Sequence, residues 1–378
     1  VNEIDVLVET LKKPERKILG MMSGTSADGV DLVLTIVNGC GRSTKCSVER
    51  AEHFDYPDDL KREILDSMKV KALMRDVCVL DFKVGEFFGD CAKKFLGDEK
   101  IDLIASHGQT IFHNPPSRSS HPCTLQIGDG DIIAMRSGVI TVSDFRIKDI
   151  EAGGEGAPLV PHVDYILYSR ENESISLNNL GGISNLTYIP KGADEEDILA
   201  FDTGPANALI DLVVRRYFDQ PYDKDGILSS KGKVNTSLLE FLKSKEKDYL
   251  LKKPPKSTGK EVYNEDYLPT LSLDPADILR TVVEFTSWSI YESYKMYVIP
   301  NGLDRVILTG GGCMNKTLVE SLRRYFGKIP VEIAIDWQWR EAKAFAILAN
   351  ELFCGKPAND PKVTGAKSKV LLGKISLP

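Results

Sequence analysis

Two carboxylates and three glycine turns are the residues of this chain best suited to chemistry. Asp202 follows the apolar run "ILAF" and precedes a Thr-Gly-Pro turn. That placement predicts a carboxylate at a strand's end, where burial raises its pKa toward that of a useful general base. An Asp before Gly-Pro is also a common turn former or helix N-cap, and both readings stand at this point. Glu341 opens "WREAKAFAILANELF", where Ala342, Phe345, Ala346, Ala349 and Phe353 mark one buried helical face. A lone Glu in that first turn complements the helix dipole. The glycine turns are "GMMSGTSADGVD", "NLGGISNL" and "LTGGGCMN". Each leaves backbone N–H groups free at a strand's end, and glycine lets a phosphate come close to the backbone. One such turn needs no ligand, since tight hairpins favour Gly, Ser and Asp. The set of three, with an Asp after the second, asks for one nucleotide gripped between two related lobes. No Gly-Lys-Ser/Thr follows any of them and none forms Gly-x-Gly-x-x-Gly at a βα junction, so P-loop and Rossmann sites are disfavoured.

The elements that must hold these turns are readable from periodicity. "KILGMM" and "VDLVLTIV" predict a hairpin around the first turn, and "SISLNNLGGISNLTYI" repeats that pattern around Gly181 and Gly182. "ILAFDTGPANALIDLVVRRYF" predicts a short strand ending at Asp202, a turn and an amphipathic helix. In "RVILTGGGCMNKTLVESLRRYFG" a strand Arg305 to Thr309 meets Gly310, Gly311 and Gly312, then a helix with Asn315 as N-cap. "DDLKREILDSM" and "VCVLDFKVGEFFGDCAKKFL" have helical spacing, and "IDLIASHGQT" predicts a short buried strand running into a loop. Acidic "GADEEDI" and basic "KSKEKDYLLKKPPKSTGKE" read as surface loops or frayed helix ends.

Composition sets the outer limits. A chain of 378 residues with 42% hydrophobic content predicts two domains with ordinary cores. A net charge of -7 and a pI near 5.5 argue against a nucleic-acid or membrane-surface partner, because neither fits a broad basic face. Seven cysteines without a Cys-x-x-Cys pair predict isolated reduced thiols, and hence a cytoplasmic protein, with no disulfide framework and no zinc site. The acidic opening segment lacks an apolar core of signal-peptide length, and no apolar run approaches a membrane span. His107, Gln109 and His113 in "SHGQTIFH" offer neutral hydrogen bonds suited to sugar hydroxyls. A metal pair of His107 and His113 is disfavoured, because no third ligand stands nearby.

Nine motifs in order, "MSGTSADGVD", "SHGQTIFH", "TLQIGDGD", "SDFRIKDIEAGGEGAPLVP", "NLGGISNLTY", "FDTGPANALID", "YDKDG", "PPKSTGKE" and "TGGGCMNKTL", make the chain resemble the 1,6-anhydro-N-acetylmuramic acid kinases from about Ile18 onward. These belong with sugar kinases, actin and heat-shock chaperone ATPases. The chain departs from the family pattern at Ala206, where Gly is usual before Asn207, and Trp337 and Trp339 precede the late helix.

The resemblance implies an α/β, two-lobed actin-like (ribonuclease H-like) ATPase fold with an interlobe cleft. The lobes would be residues 1–160 and 161–360, with 361–378 a tail of open assignment. It implies ATP and Mg²⁺ as cofactors, an anhydro-amino-sugar as substrate, and leaves a homodimer open. By resemblance, Ser23, Gly24, Thr25, Ser26, Ala27, Asp28, Gly29, Val30 and Asp31 form the first phosphate hairpin, with Asp28 or Asp31 reaching Mg²⁺ through water. Gly181 and Gly182 resemble the second hairpin, joined by Gly204. Gly310, Gly311, Gly312 and Asn315 resemble the turn at the adenosine end. Asp202 matches the family's catalytic base and Glu341 the residue that reaches the anhydro bridge. His107, Gln109, Arg146 and Asp149 fall on the sugar side. Arg146 and Lys148 could meet the lactyl carboxylate, and Asp144 and Asp149 could equally hold Arg146. The reaction implied is ATP-dependent opening and phosphorylation of 1,6-anhydro-N-acetylmuramic acid in cell-wall recycling. An ordinary hexose or amino-sugar kinase, or a non-catalytic ATP-driven clamp, would need the same hairpins.

Overall fold

A computed structural model describes residues 2–24, 26–69 and 72–378. In chain order the first half comprises α1 (Glu3–Lys12), β1 (Glu15–Ser23), β2 (Gly29–Asn38), β3 (Lys45–Asp55), α2 (Asp58–Ser67), α3 (Met74–Leu96), β4 (Leu103–Asn114), β5 (Cys123–Ile127), α4 (Gly130–Ser137), β6 (Thr141–Ser143), α5 (Ile147–Glu151) and α6 (Val160–Tyr168). The rest comprises β7 (Ile175–Leu180), β8 (Ile183–Ile189), β9 (Leu199–Pro205), α7 (Asn207–Phe218), α8 (Thr236–Leu251), α9 (Pro275–Tyr297), β10 (Arg305–Thr309), α10 (Lys316–Phe326), β11 (Val331–Ile333), α11 (Arg340–Phe353), α12 (Pro361–Thr364) and β12 (Lys374–Ser376).

The chain divides into one unit of Val1–Leu167 with Trp339–Pro378 and a second of Tyr168–Gln338. This corrects the expected division. Residues 339–360, α11 and Glu341 included, belong to the first unit, as does the tail. The reason is packing: α11 is buried over nearly its whole length against β1, β2 and β4.

In the first unit the sheet runs β12-β6-β4-β1-β2-β3, with β5 on β4. The β1–β2 and β2–β3 pairs are antiparallel and the β1–β4 and β4–β6 pairs parallel. Because side chains alternate, Leu19, Met21, Leu32 and Leu34 join Val84 and Phe88 of α3 in one core, while Ile18, Leu103 and Val142 join Phe345 and Leu348 of α11 in another. A sheet apolar on both faces must be covered twice, which explains the near-continuous aliphatic run of β2.

The second unit's sheet runs β11-β10-β7-β8-β9, again with two antiparallel pairs and then two parallel ones. Counted within each unit, both sheets place their first five principal strands in the order three-two-one-four-five. That is the ribonuclease H-like topology, present twice, as the resemblance implied. The hairpin repeat seen in the sequence is the β1–β2 and β7–β8 pair of this duplication.

Three local expectations change. "SHGQTIFHN" continues β4 to Asn114 instead of forming a loop, because β5 pairs with it. β9 runs through Asp202 to Pro205, so Asp202 lies within the strand and opposite Asn185. The basic stretch is in part α8, and Lys256 in it is buried. The cysteine expectation is also corrected: Cys40 and Cys354 are joined by a disulfide, while Cys78, Cys91, Cys123 and Cys313 are free thiols. The pairing comes from tertiary contact across 314 residues, which no sequence spacing reveals. None of the described helices is long and apolar enough to cross a membrane.

Candidate active site

In the first unit the β1–β2 turn is tied from within. Ser23 Oγ lies 2.7 Å from the Gly29 carbonyl and 2.6 Å from Gln109 Oε1, and it accepts from the Tyr56 hydroxyl at 3.0 Å. Gln109 Nε2 donates to the Gly24 carbonyl at 3.2 Å. Gln109, fully buried, therefore braces the hairpin and is not turned out toward a sugar. Ala27 holds a left-handed φ of 51° with its methyl in the core, and Val30 is buried too, so only their backbone is available to a ligand. Gly29 meets the Phe54 carbonyl, where a Cβ would stand 2.1 Å away. Around Gly24 the nearest atom to a Cβ is 3.9 Å off, so the fold itself leaves space there. Ser26 is exposed and Thr25 lies outside the described residues.

Asp28 and Asp31 differ in setting. Lys61 Nζ lies 2.6 Å from Asp28, and although desolvation pulls that carboxyl up, the bonds from Lys61 and Ser26 outweigh it and hold it low. Asp31 is pushed up by desolvation, with His53 Nδ1 at 2.6 Å opposing. Among the described residues no three His, Cys, Asp or Glu side chains form a metal cluster. Asp28, engaged by Lys61 and Ser26, and Asp31, engaged by His53, make no cage for a cation; carboxylates so placed fit one that is carried by a ligand and reached through water.

Four separated motifs converge in this unit. Arg146 donates from Nε and Nη2 to His107 Nε2 at 3.1 and 2.9 Å, and from Nη1 to the Gly156 carbonyl at 2.8 Å. Desolvation and the nearby Arg146 charge press the His107 pKa down to about 3, so its neutral ring accepts from Arg146 and gives its Nδ1 proton to the Gly108 carbonyl. Burial lowers Arg146 to about 10, opposed by Glu341 and Asp149, which leaves it cationic at neutral pH. Asp149 is wholly buried and bonds the Gly156 amide, Asn359 and Thr364. It anchors the loop that carries Arg146's partner, and its oxygens are not offered to a sugar. Lys148 turns to the Gly373 carbonyl at 2.8 Å and His113 to Thr124 at 3.1 Å.

Glu341, in the first turn of α11, is exposed to solvent yet desolvated by surrounding protein, which raises its pKa against the pull of Arg340 and Arg146. Its accessibility decides what it can touch, and the desolvation makes it a weaker acid than a free glutamate. Arg340 is held by the buried Asp164.

In the second unit the β7–β8 turn caps α7. The Gly182 carbonyl accepts from the Ala206 and Ala208 amides at 3.0 Å each, and the Gly181 carbonyl from the Asn207 amide at 2.9 Å. The amides of Gly181 and Gly182 are not hydrogen-bonded to other described residues. The stem of Lys260 crosses Gly182, where a Cβ would stand 2.2 Å from Cε. Beside them a cavity of about 380 Å³ is lined by Asn207, Asp211 and Arg215 from one face of α7 and by Lys260, Tyr263 and Glu265 opposite. Burial lifts Asp211 to about 6 against Arg215 and Lys260.

Asp202 is held at three points. Its amide donates to the Lys256 carbonyl at 3.1 Å, its carbonyl accepts from the Tyr249 hydroxyl at 2.7 Å, and Oδ2 accepts from the Thr258 amide at 2.9 Å. No described residue bonds to Oδ1. Desolvation raises the carboxyl to about 6, with the Thr258 bond and the Lys256 charge opposing.

The remaining glycines of the sequence-derived site divide by packing. Gly204 is enclosed by Ser289 and Glu246, Gly310 by Asn179 and Gly312 by Leu180, while Gly311 faces open space. Asn315 caps α10 through the Leu318 amide and donates to Asp223, so its amide group is spent within the fold. Sequence reasoning missed Lys256, Thr258 and Lys260 as individual residues. Their signal was present in "PPKSTGKE", which its charge disguised as a solvated loop.

A duplicated ribonuclease H-like fold, with a glycine hairpin in each half and a desolvated, one-sided aspartate beside the second, defines an actin-like phosphotransferase. The family model for anhydro-N-acetylmuramic acid kinase matches residues 16–378, and the chain belongs to that family. The curated anhydro-N-acetylmuramic acid kinase of Caldanaerobacter subterraneus is 42% identical, over 99% of this chain and 100% of its own. That of Clostridioides difficile is 40% identical, over 95% of this chain and 97% of its own. Among solved structures, the activator of the 2-hydroxyisocaproyl-CoA dehydratase from Clostridium difficile with bound ADPNP covers 89% of this chain and 95% of its own at 12% identity. The TM-score is 0.42.

Proposed function

We propose that this kinase uses ATP and water to open the 1,6-anhydro bridge of anhydro-N-acetylmuramic acid and to phosphorylate the oxygen left on C6. The observation that carries the reading is Asp202, with one oxygen fixed by Thr258 and the other unbonded, at a pKa of about 6. Such a carboxylate is a stronger base than a free aspartate and is still mostly ionised at neutral pH. Asp202 takes a proton from the water that attacks C1; the C1–O bond breaks, and the bridge oxygen stays on C6. That oxygen forms a bond to the γ-phosphorus as the bond to ADP breaks, giving N-acetylmuramic acid 6-phosphate and ADP.

The free amides of Gly181 and Gly182, the Lys260 ammonium and the open approach at Gly24 suit phosphate oxygens. Mg²⁺ would neutralise charge on the β- and γ-phosphates, with Asp31 or Asp28 reaching it through water. Arg146, with N–H groups left over after binding His107 and Gly156, suits the lactyl carboxylate. Glu341 serves the anhydro bridge. This work belongs to cell-wall recycling in the cytoplasm. A homodimer, which sedimentation can read, goes with this reading.

Turnover in oxygen-18 water tests the reaction. One labelled oxygen on the anomeric carbon, trapped before exchange, is expected. A phosphorylated sugar without label would mean an ordinary hexose or amino-sugar kinase, and ATP binding without sugar-stimulated ADP release would mean a clamp.

A further inference from the structure

Lys256 is a buried ammonium that the reaction as described does not use. Only 8% exposed, it places Nζ 3.2 and 3.1 Å from the Tyr249 and Leu250 carbonyls at the end of α8. The rings of Tyr249, Tyr297 and Phe201 surround it at 4.7, 5.1 and 5.5 Å. Carbonyls at a helix C-terminus and aromatic faces are both favourable surroundings for a cation in a dry site. Two of these contacts and one backbone bond lead back to Asp202. Phe201 is its neighbour in β9; Tyr249 donates its hydroxyl to the Asp202 carbonyl; and the Lys256 backbone carbonyl receives the Asp202 amide. Two residues on, Thr258 bonds the carboxylate itself.

We propose that Lys256 is a positioning residue for Asp202, a caged cation whose charge keeps the carboxylate ionised and whose anchorage keeps the segment 256–258 wrapped around it. The proposal rests on the reading of Asp202 as the base. The ionisable groups around the pair are few. Asp202 faces Lys256 and Tyr249, while Lys256 faces Asp202 from β9, Glu246 and Tyr249 from α8, Lys252 just past its end and Tyr297 from α9. Glu246 is itself bonded by Tyr263 and Tyr267. Burial brings Lys256 down to about 8, with Glu246 and Asp202 holding it up, so it is still mostly charged at pH 7. An uncompensated desolvation would press Asp202 further toward neutrality, and a neutral carboxyl is no base.

The test is Lys256→Gln, which removes the charge and keeps an N–H donor for the two carbonyls, beside Lys256→Met and Lys256→Arg. In both neutral variants the acid limb of kcat is expected to move up by about half a unit to one unit. Turnover at pH 6 would fall several-fold, turnover at pH 8 would stay near the parent, and the KM for ATP would hardly move. Lys256→Arg should return the limb. A limb that coincides with the parent's in a folded neutral variant overturns the proposal.

A second measurement needs no change at Lys256. Carbon-13 titration of the Lys256 side chain in Asp202→Asn should show its pKa lowered, because the coupling of two charges is reciprocal. An unshifted titration overturns the proposal. The same measurement separates it from the reading beneath it. If Asp202→Asn shifts Lys256 yet retains turnover, the charge coupling stands and Asp202 is not the base.

Discussion

Gly20 of β1 lies directly under Ala342 of α11: a Cβ on Gly20 would stand 2.0 Å from the Ala342 carbonyl oxygen and 3.3 Å from the Ala346 methyl. The helix thus rests on bare backbone, and Glu341 in its first turn takes its place from that contact. Gly20→Ala must lift the start of α11, since the nearest atom is main chain and cannot swing away. We expect a loss of about 1–3 kcal/mol, read as a lower Tm, with a larger fall in turnover than in ATP affinity. A variant with parental Tm and turnover would show that α11 is not seated by this contact.

Gly24→Val separates ligand approach from folding. Apart from its chain neighbours, the nearest described atom to a Cβ at Gly24 is Ser26 Oγ, 3.9 Å away. The variant should keep its Tm and bind ATP at least tenfold more weakly, a difference calorimetry resolves. An unchanged dissociation constant would remove Gly24 from the phosphate site.

Asp202→Asn carries two expectations. Turnover should fall by about a hundredfold to ten-thousandfold with ATP binding retained, because the amide keeps the shape and loses the base. In the parent, kcat should fall below about pH 6 as Asp202 takes up its proton.

Stability should move the other way. The folded pKa of about 6 lies above the ordinary aspartate value of 3.8, so between these values the unfolded chain releases a proton that the folded one keeps, and stability falls as pH rises. The penalty is complete above pH 6 and absent below about 3.8. Asn lacks it. Asp202→Asn should therefore melt higher than the parent at pH 7 and alike at pH 3.5, provided the Thr258 bond survives on the amide oxygen. A variant less stable at pH 7 would show that the carboxylate's bonds outweigh its desolvation.

The Cys40–Cys354 bridge links the β2–β3 connection to the residue that ends α11, next to Arg16 and Asn350. Cys354→Ser, or reductant added to the parent, should cost about 2–4 kcal/mol of stability, from the freedom restored to the unfolded chain. The two treatments should not add. If reductant leaves Tm unchanged while Cys354→Ser lowers it, the cost is one of packing and the bridge adds none.

The sequence by itself determined the parts whose causes are local. Aliphatic runs broken by small polar residues forecast the β1–β2 and β7–β8 hairpins, Asn315 as a cap followed from its position before α10, and the burial of Ala342, Phe345, Ala346, Ala349 and Phe353 followed from period 3.6, although α11 is buried on its other faces as well. The long ordered motifs also carried the family and its reaction. Tertiary structure decided what depends on partners far away in the chain. Gln109 by its residue type and Asp149 by resemblance read as sugar ligands, yet Ser23 and Gly24 claim the first, and Gly156, Asn359 and Thr364 claim the second. α11 joined the first unit because Gly20 admits it, and Lys256 left the solvated loop because three rings and two carbonyls from β9, α8 and α9 enclose it. Sequence patterns report which face of an element is apolar. Only the packed fold reports which polar groups are already bonded, and so which remain for a ligand.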